Sequence, residues 1–528
     1  MLNRSFWPKA IILFTLIFIS SCDIKNPIEG VAVLLNQAPI ETAVTVEFID
    51  SKTNSQIGVG QPTEIIIDVE GPDKDKIVNM QSQSVSSFTT TMGVINFSVA
   101  STTSPSKNDP VEIVLIAHAV GYLDAIQSIT INSIGGSSFS VNMTNREEPP
   151  AGGCVNYGIA VPSNLGKITS NFNATSCNQN GSTTLASIEI AEGTNITDKS
   201  NQKLTGNLAL QISYFDTESE GSTNSFPGGL SAKFIKNSSV VKNGIFTTVG
   251  FADFEITNEN GAKAKYFDKN AVLKMNIAPG AINPQTGNPI KVGDLIPIWS
   301  LGESDGIWKF ENEAEVEQVA GEPNYSVFIE TGHLSWWNMG WVNEDICEVG
   351  STLNFSGNFS SLRIRVKRAD NNAVILPRKI LTSTDASVTL TYVPAGIPAI
   401  VEVYNNLECD DTPAKTFEIP NLCANEYNFE VDLGGINVSV IVDAICTDRN
   451  PVLKIRPNVN IYIQNDCSEL ILIGKMENGQ ILLKALELNK TYVFAVEYED
   501  QWYTEPALVT QSDYKIDYEL PIEVCDDY

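Results

Sequence analysis

The chain has 528 residues, of which 42% are hydrophobic and 18% are charged, a composition that supports packed interiors and excludes global disorder. A chain of this length exceeds one hydrophobic core, so about three to five domains are expected. Its 63 acidic and 34 basic residues give a formal net charge of −29. So acidic a surface repels phosphate backbones and anionic lipid, which excludes nucleic acid as a partner and electrostatic adhesion to a membrane.

The N-terminal residues have the pattern of an export signal. Arg4 and Lys9 form a positively charged start, and an apolar run over residues 10–19 follows. That run has the length of a secretory h-region and is short for a membrane-spanning helix. Export, rather than a spanning helix, is therefore the prediction for this segment.

The tetrapeptide ISSC over residues 19–22 comes directly after the apolar run. It resembles the lipobox of bacterial lipoproteins, in which the cysteine receives diacylglycerol and becomes the new N-terminus. The resemblance implies a signal peptide over 1–21 and a tether over 22–27 that binds membrane lipid through an acylated Cys22. The alternative is an ordinary signal peptide followed by an incidental cysteine.

Period-two alternation of apolar and polar residues predicts β-strands through the rest of the chain. Val44, Val46 and Phe48 show this pattern, which is typical of a half-buried strand, and residues 112–120 are nearly all apolar, as in a strand buried on both faces. Turn signals separate such runs, and no convincing amphipathic helix follows the signal peptide. These features predict an all-β protein made of several Ig-like β-sandwich domains in series after a lipoprotein signal peptide. Further alternating runs lie at 210–214, 362–366 and 492–498.

Segments rich in proline, glycine or charge divide the chain into four predicted domains. The last two each have an alternating early strand and a late aromatic strand, PAIVEVYNN in one and TYVFAVEYED in the other, so we interpret them as diverged repeats. A lipobox followed by serial Ig-like modules resembles the surface lipoproteins of Bacteroidetes, which implies a place in the cell envelope, at the outer membrane and exposed on the surface. The predicted domains are an Ig-like β-sandwich (28–148), a larger Trp-rich β domain (154–343) and two β-sandwich modules (346–434 and 435–528).

The cysteine pattern agrees with export. None of the eight cysteines after Cys22 lies in a CxxC pair, and the chain has two histidines, so no metal site is expected. An even number of cysteines in an exported protein predicts up to four disulfides. Cys154 and Cys177 form the obvious local pair. The other six fall three on each side of the last domain boundary, so either one disulfide crosses it or each domain keeps a free thiol. These six are Cys347, Cys409, Cys423, Cys446, Cys467 and Cys525.

The stretch GHLSWWNMGW over residues 332–341 is the most distinctive part of the Trp-rich domain. With IPIWSLGESDGIWKF before it, it resembles a β-rich module of bacterial lipoproteins and animal matrix proteins that ends in His-Leu/Phe-Ser-x-Trp-Asn. It also looks like the β-fold of netrin receptors and ankyrins. In some members of that wider class, and in the GAIN domain of adhesion receptors, the chain cuts itself at His-Leu/Phe-Ser/Thr. The resemblance implies His333 as the base, Leu334 as the acyl donor and Ser335 as the nucleophile.

Two interpretations of the His-Leu-Ser step stay open. Side chains alternate along a strand, so His333 and Ser335 share a face, and an imidazole is a suitable base for a serine hydroxyl. Against this, five of the seven tryptophans fall between Trp299 and Trp341, which indicates an aromatic core in which His333 donates a structural hydrogen bond. We favour the structural interpretation over self-cleavage.

Exposed tryptophans are the remaining candidates for ligand binding, because aromatic rings serve as platforms for sugars. The candidates are Trp336, Trp337, Trp341 and Trp502, and the favoured alternative for them is packing in a core or a domain interface. His118, in the middle of a predicted strand, is expected to be a satisfied interior side chain. No GxSxG, HExxH, phosphate-binding loop or dinucleotide fingerprint occurs, and no cofactor is expected.

Together these features predict a non-catalytic, lipid-anchored protein of the cell envelope. Its expected role is binding, adhesion or scaffolding, and its expected partners are glycans or another envelope protein. An autoproteolytic β domain that cleaves between Leu334 and Ser335 is one alternative. A glycan-binding surface lipoprotein is the other.

Overall fold

The computed structural model describes residues 33–36, 42–179, 183–217, 219–237, 239–277, 280–369, 374–409, 411–423, 425–447, 452–498 and 501–519. The predicted signal peptide, Cys22 and Cys525 lie outside the described residues. Within the described residues, no helix has the length and apolar character needed to cross a membrane. Strands dominate the whole described chain, which therefore is an all-β protein built from β-sandwich modules in series.

Module 1 spans residues 42–145 and forms a sandwich of two four-stranded sheets, with orders β4-β6-β2-β9 and β5-β3-β7-β8. The predicted alternation is clear in β3, where every second residue is buried in the core between the sheets. The strands are β1 (Val33–Asn36), which precedes the module, β2 (Ala43–Asp50), β3 (Ile65–Glu70), β4 (Ile77–Val78), β5 (Ser87–Thr90), β6 (Val94–Val99), β7 (Val111–Ala119), β8 (Ala125–Ile131) and β9 (Ser137–Met143), with a short 3₁₀ helix at Lys74–Lys76.

Module 2 spans residues 153–343 and is the largest. A six-stranded sheet (β13-β16-β21-β25-β24, with β17 on β21) faces a seven-stranded sheet (β10-β18-β20-β19-β23-β22-β26), and β20 also pairs with β26. Its elements are β10 (Gly153–Val161), β11 (Ser163–Asn164), β12 (Lys167–Ile168), β13 (Phe172–Thr175), β14 (Asn178–Gln179), β15 (Thr183–Thr184), β16 (Ala186–Ile190), β17 (Ile196–Thr197), β18 (Leu208–Phe215), α1 (Glu220–Asn224), β19 (Ser231–Ile235), β20 (Lys242–Asn258), β21 (Tyr266–Ile277), β22 (Leu295–Leu301), β23 (Trp308–Glu315), β24 (Glu317–Gln318), β25 (Tyr325–His333) and β26 (Trp336–Asn343).

Modules 3 and 4 span residues 346–432 and 436–519, and each is again a two-sheet sandwich with its own core. Module 3 consists of β27 (Ile346–Asn358), β28 (Ser361–Arg368), β29 (Val374–Thr382), β30 (Ser387–Pro394), β31 (Ala399–Asn405), β32 (Lys415–Ile419) and β33 (Glu426–Asp432). Module 4 consists of β34 (Ile436–Cys446), β35 (Leu453–Arg456), β36 (Val459–Gln464), β37 (Leu470–Met476), β38 (Gln480–Leu486), β39 (Thr491–Tyr498), β40 (Gln501–Leu508) and β41 (Asp513–Glu519).

Modules 1, 3 and 4 share one topology. In one sheet the orders are β6-β2-β9, β30-β27-β33 and β38-β34-β41, and in the facing sheet they are β5-β3-β7-β8, β29-β28-β31-β32 and β37-β36-β39-β40. In all three, the first strand of the module pairs in parallel with the last. The aromatic strands that suggested a repeat, β31 and β39, hold the same place in this arrangement. The likeness inferred for the last two modules therefore extends to the first.

The strand β1 departs from the predicted division of the chain. The sequence places it at the start of the first domain, within 28–148, but it pairs in parallel with β35 of module 4, in the register Val33 with Leu453. Residues 33–36 therefore belong to a sheet of the last module. Composition carries no signal for such a pairing, since the two partners are more than 400 residues apart along the chain.

Module 1 contacts each of the other three modules. Its Val114, Leu123 and Ile126 join a cluster of buried aromatic residues from module 2. Its Val94 packs with Tyr462 of module 4, and its Ser138 hydroxyl donates a hydrogen bond of 2.9 Å to the Ile380 carbonyl of module 3. The modules are thus serial along the chain but are packed around the first one in space.

Candidate functional site

The His-Leu-Ser step lies where the chain of module 2 passes from one sheet to the other. Strand β25 ends at His333 and belongs to the six-stranded sheet, whereas β26 begins at Trp336 and belongs to the seven-stranded one. Leu334 and Ser335 make the crossing. Both residues are buried, and the Leu334 amide donates a 2.9 Å hydrogen bond to the Lys265 carbonyl.

The two side chains proposed for self-cleavage have different partners. The Ser335 hydroxyl donates a 2.6 Å hydrogen bond to the Leu301 carbonyl. The His333 ring stacks on Trp337 with centroids 5.0 Å apart, and its Nε2 lies 3.4 Å from Glu311 Oε1. The hydrogen bond from His333 lowers the pKa of Glu311 below its usual value. Among the described residues no hydrogen bond joins His333 to Ser335. The Ser335 hydroxyl donates its proton to a backbone carbonyl, which cannot act as a general base, and not to the imidazole.

The tryptophans proposed as sugar platforms in module 2 are buried. Trp337 and Trp341 lie in the core between the two sheets, while Trp336 points to the opposite face of the seven-stranded sheet, as alternation requires. That outer face is not exposed to solvent, because module 1 covers it. Core or interface packing, which was the favoured interpretation of these tryptophans, is the arrangement that the structure shows for all three.

An aromatic layer joins modules 1 and 2. Phe226 stacks on Trp308 at 4.9 Å, and Phe246 meets Trp299 edge to face at 5.3 Å. Trp299 Nε1 also donates a 2.9 Å hydrogen bond to the Gly340 carbonyl. Val114, Leu123 and Ile126 of module 1 belong to the same cluster, so the Trp-rich segment builds an interface between the two modules.

Trp502 lies at a second interface, between modules 1 and 4. It is half-buried and meets the Tyr462 ring edge to face, with centroids 5.0 Å apart. The Tyr462 hydroxyl is buried and donates a 2.7 Å hydrogen bond to Asn96 Oδ1 of module 1. One side of the Trp502 indole is therefore used for packing between modules, and the rest of the side chain is accessible.

A buried ion pair marks the junction of modules 1, 3 and 4. Arg378 Nε donates to Glu47 Oε2 at 3.1 Å, and its Nη2 lies 3.7 Å from Glu469 Oε2. Burial raises the pKa of Glu47, and the attraction of Arg378 offsets this only in part. Nothing in the local sequence singles out Arg378, because an arginine in the segment ILPRKIL has no feature that distinguishes it from a surface residue.

A second charged cluster lies between modules 1 and 2. His118 Nδ1 is 2.8 Å from Asp124 Oδ1, and Lys263 of module 2 contacts both Asp124 and Glu255. Burial would raise the pKa of Asp124, but the hydrogen bond from His118 and the charge of Lys263 lower it to about 2. His118 was expected to be a satisfied interior side chain. It is satisfied, but about a third of its side chain is exposed at the module boundary.

Three disulfides are formed among the described cysteines: Cys154–Cys177, Cys347–Cys423 and Cys409–Cys467. The first is the predicted local pair. The third crosses the boundary between modules 3 and 4. Of the two alternatives for the last six cysteines, a crossing disulfide is therefore the one that occurs, and not a free thiol in each module. Cys446 is disulfide-bonded as well.

The described residues contain no cluster of three or more His, Cys, Asp or Glu side chains placed to hold a metal ion, but concave regions do lie between modules. A cleft of about 630 Å³ lies between modules 1 and 2 and is lined by residues such as Glu112 and Lys233, which form an ion pair of 2.6 Å. A smaller pocket of about 250 Å³ lies where modules 1, 2 and 3 meet.

Comparisons with known proteins give only remote likenesses. No protein-family model matches the chain, and no curated protein matches it. Among solved structures, the TIE protein of Bacillus anthracis is 10% identical with a TM-score of 0.14, and the match covers 79% of this chain and 56% of that one. The major pilin BcpA of Bacillus cereus is 9% identical with a TM-score of 0.14 and coverages of 91% and 99%. The major pilin RrgB of Streptococcus pneumoniae is 7% identical with a TM-score of 0.13 and coverages of 91% and 100%.

These likenesses do not extend to an activity, because TM-scores of 0.13 and 0.14 do not reflect superposable structures. The chain spans just over half the length of the Bacillus anthracis protein.

Proposed function

We propose that the protein is a non-catalytic, lipid-anchored protein of the cell envelope that displays a rigid scaffold or binding surface at the outer membrane. The observation that carries the proposal is the packing of three modules around module 1 through buried side chains. Such an assembly holds surfaces from different modules in a fixed relation, which is what a scaffold or adhesin needs. Acylation of Cys22 would supply the attachment that the acidic surface does not.

The contacts of the two histidines support a role without catalysis. His333 is stacked on Trp337 and paired with Glu311, and His118 is paired with Asp124. Each imidazole thus has a structural use. The net charge of −29 also favours attachment by acyl chains over attachment by charge, since anionic lipid repels such a surface.

Substitution of the anchoring cysteine tests the proposal. In the native host, Cys22→Ser should move the protein from the membrane fraction to the soluble fraction, whereas Asp23→Asn, which keeps the cysteine, should leave it with the membranes. The intact mass of the purified parent should correspond to a chain that begins at an acylated Cys22. A Cys22→Ser form that fractionates with membranes as the parent does would refute lipid anchoring.

The same mass measurement reports on the alternative of self-cleavage. One uncut chain is expected, because the Ser335 hydroxyl donates its hydrogen bond to the Leu301 carbonyl and is not activated by a base. Two fragments that separate after Leu334 would overturn the non-catalytic assignment. Protease treatment of whole cells, compared with lysed cells, would then show whether the modules are exposed on the cell surface.

A further inference from the structure

The pocket at the junction of modules 1, 2 and 3 has walls from all three. Module 1 supplies the turn over residues 51–54, module 2 supplies Glu220 and Asn224 of α1, and module 3 supplies Arg363 and neighbouring side chains. The volume of the pocket is about 250 Å³. The pocket exists only when the three modules are docked, and its size suits a single sugar ring.

Charges around the pocket neutralise one another. Arg363 Nη2 donates to Asp411 Oδ1 at 2.9 Å, Arg365 pairs with Glu220, and Lys52 pairs with Glu148 at 3.1 Å. An anion would be repelled by the carboxylates in this wall, and a cation by the guanidinium groups. A hydroxyl group both donates and accepts hydrogen bonds, so it fits next to either kind of side chain without adding charge.

The wall also contains a donor without an acceptor. Arg365 Nε is buried and has no hydrogen-bond partner among the described residues, and Glu402 Oε2, at 3.9 Å, is beyond hydrogen-bonding distance. A buried donor left without a partner costs free energy.

The wall is fixed before any ligand arrives. Arg378 Nη1 donates to the Asn54 carbonyl at 3.4 Å, which ties the turn of module 1 to module 3. A Cβ atom at Gly221 would lie 2.8 Å from the Ser51 carbonyl oxygen, so only glycine lets α1 approach this turn. A pocket that is already ordered loses little conformational entropy on binding.

We propose that this junction pocket binds a single neutral sugar residue, such as the end of a glycan chain. The proposal rests on the binding role proposed above and specifies its ligand class. Binding would depend on hydrogen bonds to ring hydroxyls and not on stacking, because Arg363 already covers the Tyr404 ring at 4.3 Å from its centroid. The site is therefore distinct from the buried tryptophans of module 2.

Ligand-observed NMR with the full-length protein tests the proposal. The probes are neutral monosaccharides (glucose, galactose, mannose and N-acetylglucosamine), with glucuronic acid and glucosamine as charged analogues. At least one neutral sugar should bind. Asn224→Ala and Asp411→Ala should each weaken its binding about five- to tenfold, the loss expected for one hydrogen bond. Glu344→Gln, which removes an exposed carboxylate outside the pocket, should leave the affinity unchanged.

Thermal unfolding of each variant separates loss of the ligand contact from loss of the fold. Asp411 is largely exposed, so its variant should unfold at the same temperature as the parent. The proposal is overturned if no neutral sugar binds, if only a charged analogue binds, or if both pocket variants bind as the parent does. None of these results would affect lipid anchoring, which depends on Cys22 and is measured separately.

Discussion

Arg378 shows how much of this assembly depends on one side chain. It pairs with Glu47 of module 1 and approaches Glu469 of module 4, while its own strand belongs to module 3. The side chains of Arg378 and Glu47 are almost wholly buried, and in a buried pair the cost of desolvation is offset only while the pair is intact. The pair therefore favours one arrangement of three modules over others.

Removing this arginine should destabilise the protein strongly. In Arg378→Met, Glu47 is left in a buried site without its cation, and we expect a loss of about 3 kcal/mol in the free energy of unfolding. Glu148→Gln, which removes an exposed pair with Lys52, should cost less than about 1 kcal/mol. Urea unfolding monitored by tryptophan fluorescence measures both. Equal effects of the two substitutions would show that the buried pair has no special role.

Strands in this protein are covered on faces that the local sequence assigns to solvent. In β2, Val44, Val46 and Phe48 fill the core as predicted, but Thr45 and Glu47 are also buried. Thr45 lies 3.5 Å from the Tyr462 hydroxyl of module 4, and Glu47 pairs with Arg378 of module 3. The alternation identifies the strand correctly, but polar residues at its outer positions do not show which other module covers them.

The contact between β7 of module 1 and module 2 should depend on pH through His118. The hydrogen bond to Asp124 raises the pKa of His118, and Asp68 acts in the same direction while Lys263 opposes it. The contribution of protonated His118 to the free energy of unfolding is therefore fully present below the pKa of His118 in the unfolded chain, about 6.5. It is lost as the pH rises through the higher pKa that His118 has in the folded protein.

Urea unfolding of the parent and of His118→Gln, from about pH 5 to pH 9, checks this expectation. The parent should be more stable than the variant at low pH, and the difference should shrink as the pH rises. The comparison with the variant is necessary because other groups titrate in this range: burial lowers the pKa of Lys379 to about 8. A difference that is constant with pH would contradict the role given to His118.

The described part of the molecule is held together by contacts between its first and last modules. Gln56 of module 1 exchanges two hydrogen bonds with the backbone of Leu470 in module 4, and β1 extends a sheet of the same module. The Cys409–Cys467 disulfide adds a covalent link between modules 3 and 4. A freely jointed stalk is therefore not the architecture of this protein.

Removal of the crossing disulfide should lower stability without opening the assembly. In the double variant Cys409→Ser/Cys467→Ser, we expect a loss of about 3 kcal/mol, while solution scattering should match the profile calculated for the packed modules. The hydrogen bonds between modules 1 and 4 remain in this variant, which is why no expansion is expected. Cys154→Ser/Cys177→Ser, within module 2, is the matched control. An elongated particle in either the parent or the variant would contradict the packed arrangement.

The sequence is sufficient for features that depend on neighbouring residues. Alternation at Leu362, Ile364 and Val366 identifies β28, and the spacing of Cys154 and Cys177 identifies their disulfide, because strand faces and short loops are set locally. It is not sufficient for Trp336, which lies in a cluster shared by modules 1 and 2, or for Glu47, whose ion-pair partner belongs to module 3. Which surface covers a given strand face depends on contacts between residues more than a hundred positions apart, and such contacts exist only once the modules have packed.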